Sequence, residues 1–132
     1  MKAVSIDIDE NSNATIKKDI LQVKPEDLPF VPDFIWASLP CETYSKLARG
    51  KHRSVKNGEY EKTEKAEQHN LLFEKMIEIM RWAQRKHPRH LIVVIENPVG
   101  SLPKMPFMVS YELSSNFVSY DVYLTQGSYH LV

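Results

Sequence analysis

Cysteine occurs once in this chain, at Cys41, so an internal disulfide is excluded. A disulfide-stapled secreted scaffold is therefore not the design. Glycine is scarce, at 4 residues, and no Gly-x-Gly-x-x-Gly or Walker loop is present. Charge of one sign is not in excess: 17 Lys plus Arg face 17 Asp plus Glu. Net charge thus gives no argument for a nucleic-acid partner; only a local patch could. No apolar run approaches the about 18 residues of a membrane span, and no basic stretch followed by an apolar one opens the chain. These absences predict an intracellular protein in a reducing compartment, not secreted and without a membrane partner. The histidines, His52, His69, His87, His90 and His130, show no metal spacing, and one cysteine makes a zinc site unexpected. Repeats and low-complexity segments are missing too. What is there is ordinary: 132 residues, 42% hydrophobic and 26% charged. That predicts a single domain over 1–132 with enough apolar surface for a core.

The chain starts with a strand pattern. "KAVSIDID" alternates Val4, Ile6 and Ile8 and stops at Asp9. "ENSN" reads as a turn, "ATIKKDILQV" as a short apolar segment around Asp19, and "KPEDLP" as a loop. "PDFIWASLP" predicts a buried strand from Asp33 to Leu39, ended by Pro40. From Lys46 to Asn57 comes a basic loop with Lys46, Arg49, Lys51, Arg53 and Lys56, and no acid. A long helix follows in "EYEKTEKAEQHNLLFEKMIEIMRWAQRKHPR". Leu72, Met76, Ile79, Met80 and Ala83 share one face, and Pro88 stops it. "HLIVVIENP" is an unbroken apolar run, Leu91 to Ile95, which predicts a strand buried on both faces. "VGSLPKMPFM" reads as an irregular or short helical connection, and "NFVSYDVYLTQ" as a half-exposed later strand. Strand, strand, long helix, strand predicts an α/β domain with a mostly parallel sheet.

In such sheets ligands sit beyond the carboxyl ends of the strands. Asp7 and Asp9, Cys41, and Glu96 fall at three such ends. Cys41 is either a small packed hydrophobe or a thiol made reactive by the basic loop beside it. Glu96 is either a strand stop within Glu-Asn-Pro or a desolvated carboxylate that donates a proton. Asp7 and Asp9 are solvated strand-end acids or acceptors for ribose hydroxyls. The basic loop is a solvated surface or a phosphate contact.

Together these pieces resemble the DNA cytosine-5 methyltransferases, most of all the short forms of phages and large viruses. "VSIDID" is similar to the acidic strand end that holds the ribose of S-adenosylmethionine. "KKDILQV" resembles the segment whose aspartate meets the adenine amino group. "IWASLPCETYS" resembles the Pro-Cys motif with its following serine, and "VIENP" the Glu-Asn motif. The resemblance implies a Rossmann-like methyltransferase fold with S-adenosylmethionine as cofactor. It implies Cys41 and Glu96 as catalytic residues, and Asp7, Ile8, Asp19, Ile20 and Pro40 around the cofactor. It implies Ser45, Lys46, Arg49, Lys51 and Arg53 at the nucleic acid, which is DNA or RNA.

The departures from the family are as clear. The opening strand with its Phe-x-Gly-x-Gly loop has no counterpart, nor does the Gln-x-Arg-x-Arg motif. Only 32 residues follow residue 100, too few for a target-recognition domain. The resemblance therefore implies a partial fold, lacking the first and central strand between the strand ending at Asp9 and the one ending at Pro40. Two readings follow: a cytosine-5 methyltransferase domain, or an inactive remnant or nucleic-acid-binding fragment.

Overall fold

The structure is a computed structural model. It describes residues 1–54, 61, 63–87, 91–97, 100–114, 124–125 and 128–129. The architecture is mixed α/β, with short parallel strands in small sheets. Strand β1 (Ile6–Asp7) pairs in parallel with β2 (Ile16–Lys17). Strand β3 (Phe34–Ala37) pairs in parallel with β4 (Ile92–Ile95). The two ribbons are separate two-stranded sheets rather than one continuous sheet. The third pair, Leu124–Thr125 with Ser128–Tyr129, is antiparallel. The expected strand over 116–126 otherwise lies outside the described residues.

The first strand is shorter than its alternation predicts. Asp7 Oδ1 accepts the Asp9 N–H at 2.9 Å, and Asp9 Oδ1 accepts the Asn11 N–H at 2.8 Å. Such side-chain turns compete with a sheet ladder, and they curl the chain away after Asp7. Ile8 is left 70% exposed.

Helix α1 (Glu64–Lys86) begins where Thr63 Oγ1 accepts the Ala66 N–H at 3.3 Å. Glu64 and Glu67 lie in its first turn and Arg85 and Lys86 in its last, as the helix dipole favours. Its buried face runs through Ala66, Phe73, Met76, Ile77, Met80 and Ala83. The expected face is therefore right for Met76, Ile79, Met80 and Ala83, while Leu72 is only half-buried. Phe73 takes its place at the centre, wholly buried. A short 3-10 turn (Leu102–Lys104) and helix α2 (Pro106–Ser114) fill the stretch read as a connection.

The core joins Ala37, Tyr44, Phe73, Met76, Ile77, Met80, Leu102, Met105, Met108 and Tyr111. Ile35, Val93 and Ile95 pack against it from one face of the β3–β4 ribbon. The other face is bare: Phe34 is 53% exposed, Trp36 62% and Ile92 60%. The strand expected to be buried on both faces is thus covered on one. No helix among the described residues is long and apolar enough to cross a membrane.

Candidate active site

The in-register pairing of Ala37 with Ile95 sets the geometry. Both strands run the same way, so the residues after them leave from the same edge. After β3 come Ser38, Leu39, Pro40 and Cys41; after β4 comes Glu96. The Glu96 N–H donates to the Ala37 carbonyl at 2.9 Å. The Ser38 hydroxyl donates to Glu96 Oε2 at 3.1 Å, which fixes the carboxylate on the Cys41 side of the ribbon. Ser38 was not singled out by its sequence; a small hydroxyl residue at a strand end gives little signal.

Cys41 opens a turn closed by the Tyr44 N–H donating to the Cys41 carbonyl at 2.9 Å. Tyr44 then anchors the turn. Its ring is wholly buried against Phe73, edge-on at 5.1 Å, and its hydroxyl donates to Asn70 Oδ1 at 2.7 Å. Beyond it the Tyr44 carbonyl accepts the Ser101 N–H at 2.7 Å, and Ser45 bridges to Gly100. The segments after Cys41 and after Glu96 are therefore sewn together.

The electrostatics of Cys41 reverse the expectation from its basic sequence neighbours. Cys41 is half-buried. Burial pushes its thiol up first, the Glu96 carboxylate pushes it further, and Glu42 adds to this; a backbone hydrogen bond partly offsets them. The charges that act on the thiol are the acids Glu96 and Glu42, not the lysines and arginines that follow in sequence. Glu96 is exposed, so the desolvation expected of it is not present. Since the charge on Glu96 holds the proton on Sγ, Glu96→Gln lowers the thiol pKa and speeds alkylation of Cys41 by iodoacetamide severalfold at pH 8. Unchanged or slower alkylation in that variant would show that the two groups do not interact.

The residues expected around a cofactor converge. Asp7, Ile8, Asp19, Ile20 and Pro40 all line one cleft of about 710 Å³. Ile6, Leu39, Leu71 and Leu72 supply further apolar wall, and Lys18, Gln68 and His69 polar wall. Asp19 also accepts the Leu21 N–H at 2.9 Å, which caps a 3-10 turn (Ile20–Gln22) and holds the carboxylate in place. The cleft is open to solvent, and its volume falls within the range of small-molecule sites. His69 stands buried at the cleft, with Nδ1 3.0 Å from Thr43 Oγ1. No group of three or more metal-ligating side chains occurs among the described residues.

The basic loop divides. Lys46 and Lys51 are exposed, Ser45 and Arg49 half-buried. Ser45 begins a short 3-10 turn (Lys46–Ala48) and donates from Oγ to the Glu42 carbonyl at 3.3 Å. Gly50, at φ 84°, makes the left-handed turn that returns the loop. Arg53 departs from the expectation of a solvated phosphate contact: it is wholly buried. Its guanidinium donates to the Thr43 carbonyl at 2.9 Å and to Asn70 Oδ1 at 2.8 Å, and its carbon lies 4.1 Å from the Tyr44 ring centroid. Its donors point inward because the loop folds back over α1 at Ala66 and Asn70. Residue 56 lies outside the described residues. Leu47, between the exposed lysines, is 94% exposed.

No protein-family model, curated protein or solved structure matches this chain.

Proposed function

We propose that this chain carries the site of an S-adenosylmethionine-dependent cytosine-5 methyltransferase, with DNA as the nucleic-acid partner. One observation carries the reading. Cys41 and Glu96 leave the ends of two adjacent parallel strands, beside a cleft lined by the acids and apolar residues an adenosine group requires. Asp7 suits the ribose hydroxyls and Asp19 the adenine amino group. Ile8, Ile20 and Pro40 suit the ring faces. The cleft volume is in the range of small-molecule sites, so these residues fit that end of the cofactor.

The target base is first swung out of the duplex. The Cys41 thiol passes its proton to the Glu96 carboxylate as Sγ adds to C6 of cytosine, and Glu96 delivers that proton to N3. The electron pair displaced from C6 makes C5 nucleophilic. S-adenosylmethionine, when bound, supplies an electrophilic methyl group there. Loss of the C5 proton to water and expulsion of the Cys41 thiolate, which regains through Glu96 the proton held at N3, restore the ring and the site. Lys46 and Lys51 are free to meet phosphates. Arg53 serves the loop's shape instead.

A second reading has its own support. The raised thiol pKa and the bare face of β3–β4 favour a chain that keeps the motifs but does not turn over alone. Intact-mass measurement separates the two. The chain is mixed with S-adenosylmethionine and duplex carrying 5-fluorocytosine, which blocks the final elimination. A gain of one oligonucleotide mass, abolished in Cys41→Ala, is the expected result. A folded chain that never gains it rules out activity of the isolated chain.

A further inference from the structure

The turn that carries Cys41 is gripped by helix α1 residue by residue. Glu42 pairs with Lys65, Thr43 meets His69, and Tyr44 bonds to Asn70 and packs on Phe73. Lys65, His69 and Phe73 recur every fourth residue, so the grips form one stripe of the helix. Histidine is the one residue type among them that gains a proton between about pH 5 and 8.

The hydrogen bonds settle which form of His69 the turn needs. Thr43 is wholly buried. Its Oγ1 accepts from Arg53 Nη2 at 3.3 Å and lies 3.0 Å from His69 Nδ1. A guanidinium can only donate. The Thr43 hydroxyl therefore gives its own proton to Nδ1, the one acceptor it meets among the described residues. The imidazole is then neutral, with its proton on Nε2. A second proton would sit on Nδ1 and make it a donor. Two donors would converge on the Thr43 oxygen, and a buried hydroxyl proton would lose its acceptor. The surroundings act in the same direction. Burial pushes the His69 pKa down; Glu42 opposes this, and Lys65, Arg53 and His52 add to it. The Tyr44 ring stacks 6.4 Å from the imidazole, and Asp7, Lys18 and Asp19 line the cleft that His69 also lines.

We propose that His69 is a positioning residue for Cys41, acting through Thr43: neutral, it takes the hydroxyl proton and holds the Cys41 turn on α1, and on gaining a proton it releases that turn. The thiol then leaves its half-buried place under the Glu96 charge. A histidine whose pKa is lowered while the turn is closed stabilises closure above the ordinary value of 6.5, and this support is lost as pH falls below it. Mild acid thus opens the turn. The inference concerns the thiol and its turn and does not rest on the methyltransferase reading.

The test is the rate of Cys41 with 4,4′-dithiodipyridine from about pH 7.5 to about pH 5, above the ordinary carboxylate range. Each rate is divided by that of a cysteine peptide at the same pH, which removes ordinary thiol ionisation. The ratio is expected to rise about threefold or more toward pH 5, with the helical circular dichroism unchanged. His69→Asn puts an amide oxygen near the place of Nδ1 but takes no proton. It is expected to keep the pH 7.5 ratio within about twofold and to abolish the rise. His69→Leu, without an acceptor, is expected to show the high ratio at every pH. Ring nitrogen shifts of His69 in the parent chain at pH 7.5 are expected to place the proton on Nε2 alone. A proton on Nδ1, a flat ratio in the parent, a rise that survives His69→Asn, or a rise that only follows loss of helix overturns the inference. No cofactor or nucleic acid enters these assays, so the two proposals fail independently.

Discussion

Replacing Arg53 with alanine destabilises the fold by about 3–5 kcal/mol, the usual cost of breaking a buried charged network by removing one partner. The guanidinium is wholly buried yet has a partner on every side. It donates to Thr43, Ala66 and Asn70, contacts Met105 Sδ at 3.4 Å, stacks over Tyr44 and lies 3.9 Å from Glu61 Oε1. Alanine leaves the Thr43 carbonyl without its donor and removes support from the Tyr44 ring in the same step. Arg53→Lys is also costly, because an ammonium cannot reach these acceptors in the planar fork geometry. Lys51→Ala, on the exposed side of the same loop, changes stability by less than about 0.5 kcal/mol. Urea midpoints of the three variants make the comparison. An Arg53→Ala chain within about 1 kcal/mol of the parent would contradict the buried network.

Gly100→Ala is the second large effect, at about 3 kcal/mol. A Cβ there would stand 1.8 Å from the Tyr44 carbonyl oxygen and 2.8 Å from its carbon. These are backbone atoms, so no rotamer relieves the clash. The segments must separate, and the Ser101 N–H bond to Tyr44 breaks with them. The variant therefore loses stability and also the registration of Cys41 with Glu96. Thermal melting reads the first loss. The rate of Cys41 alkylation reads the second, since separation lifts both burial and the Glu96 charge from the thiol and speeds the reaction. An unchanged melting temperature would mean that Gly100 does not approach Tyr44 so closely.

Local pattern and spatial outcome agree where a single element decides the result. Most of the apolar stripe of α1 and the presence of β3 and β4 are legible because periodicity reports one element at a time, while β3 stops at Ala37, short of the expected Leu39. Asp7, Ile8, Asp19, Ile20 and Pro40 converge on one cleft although β1–β2 and β3–β4 are separate ribbons. Arg53 was not legible. Five cations spread over Lys46 to Lys56 look solvated, and nothing near them shows that Asn70 and Met105 will close around one guanidinium. Cys41 misleads for the same reason: its sequence neighbours are basic, but Glu96 arrives from another strand. The short first strand reflects Asp7 and Asp9 bonding to their own backbone, a choice that alternation does not register.

The pairing of β3 with β4 also sets an order of events. Ser38 and Glu96 are 58 positions apart, with all of α1 between them. Helix α1 needs only local contacts and forms early, whereas joining the strands requires closing that long loop. The thiol meets its carboxylate only when the slowest contact is made. Reactivity of Cys41 toward a thiol reagent during refolding is thus a clock: fast while the chain is open, and slow once the last ribbon has closed.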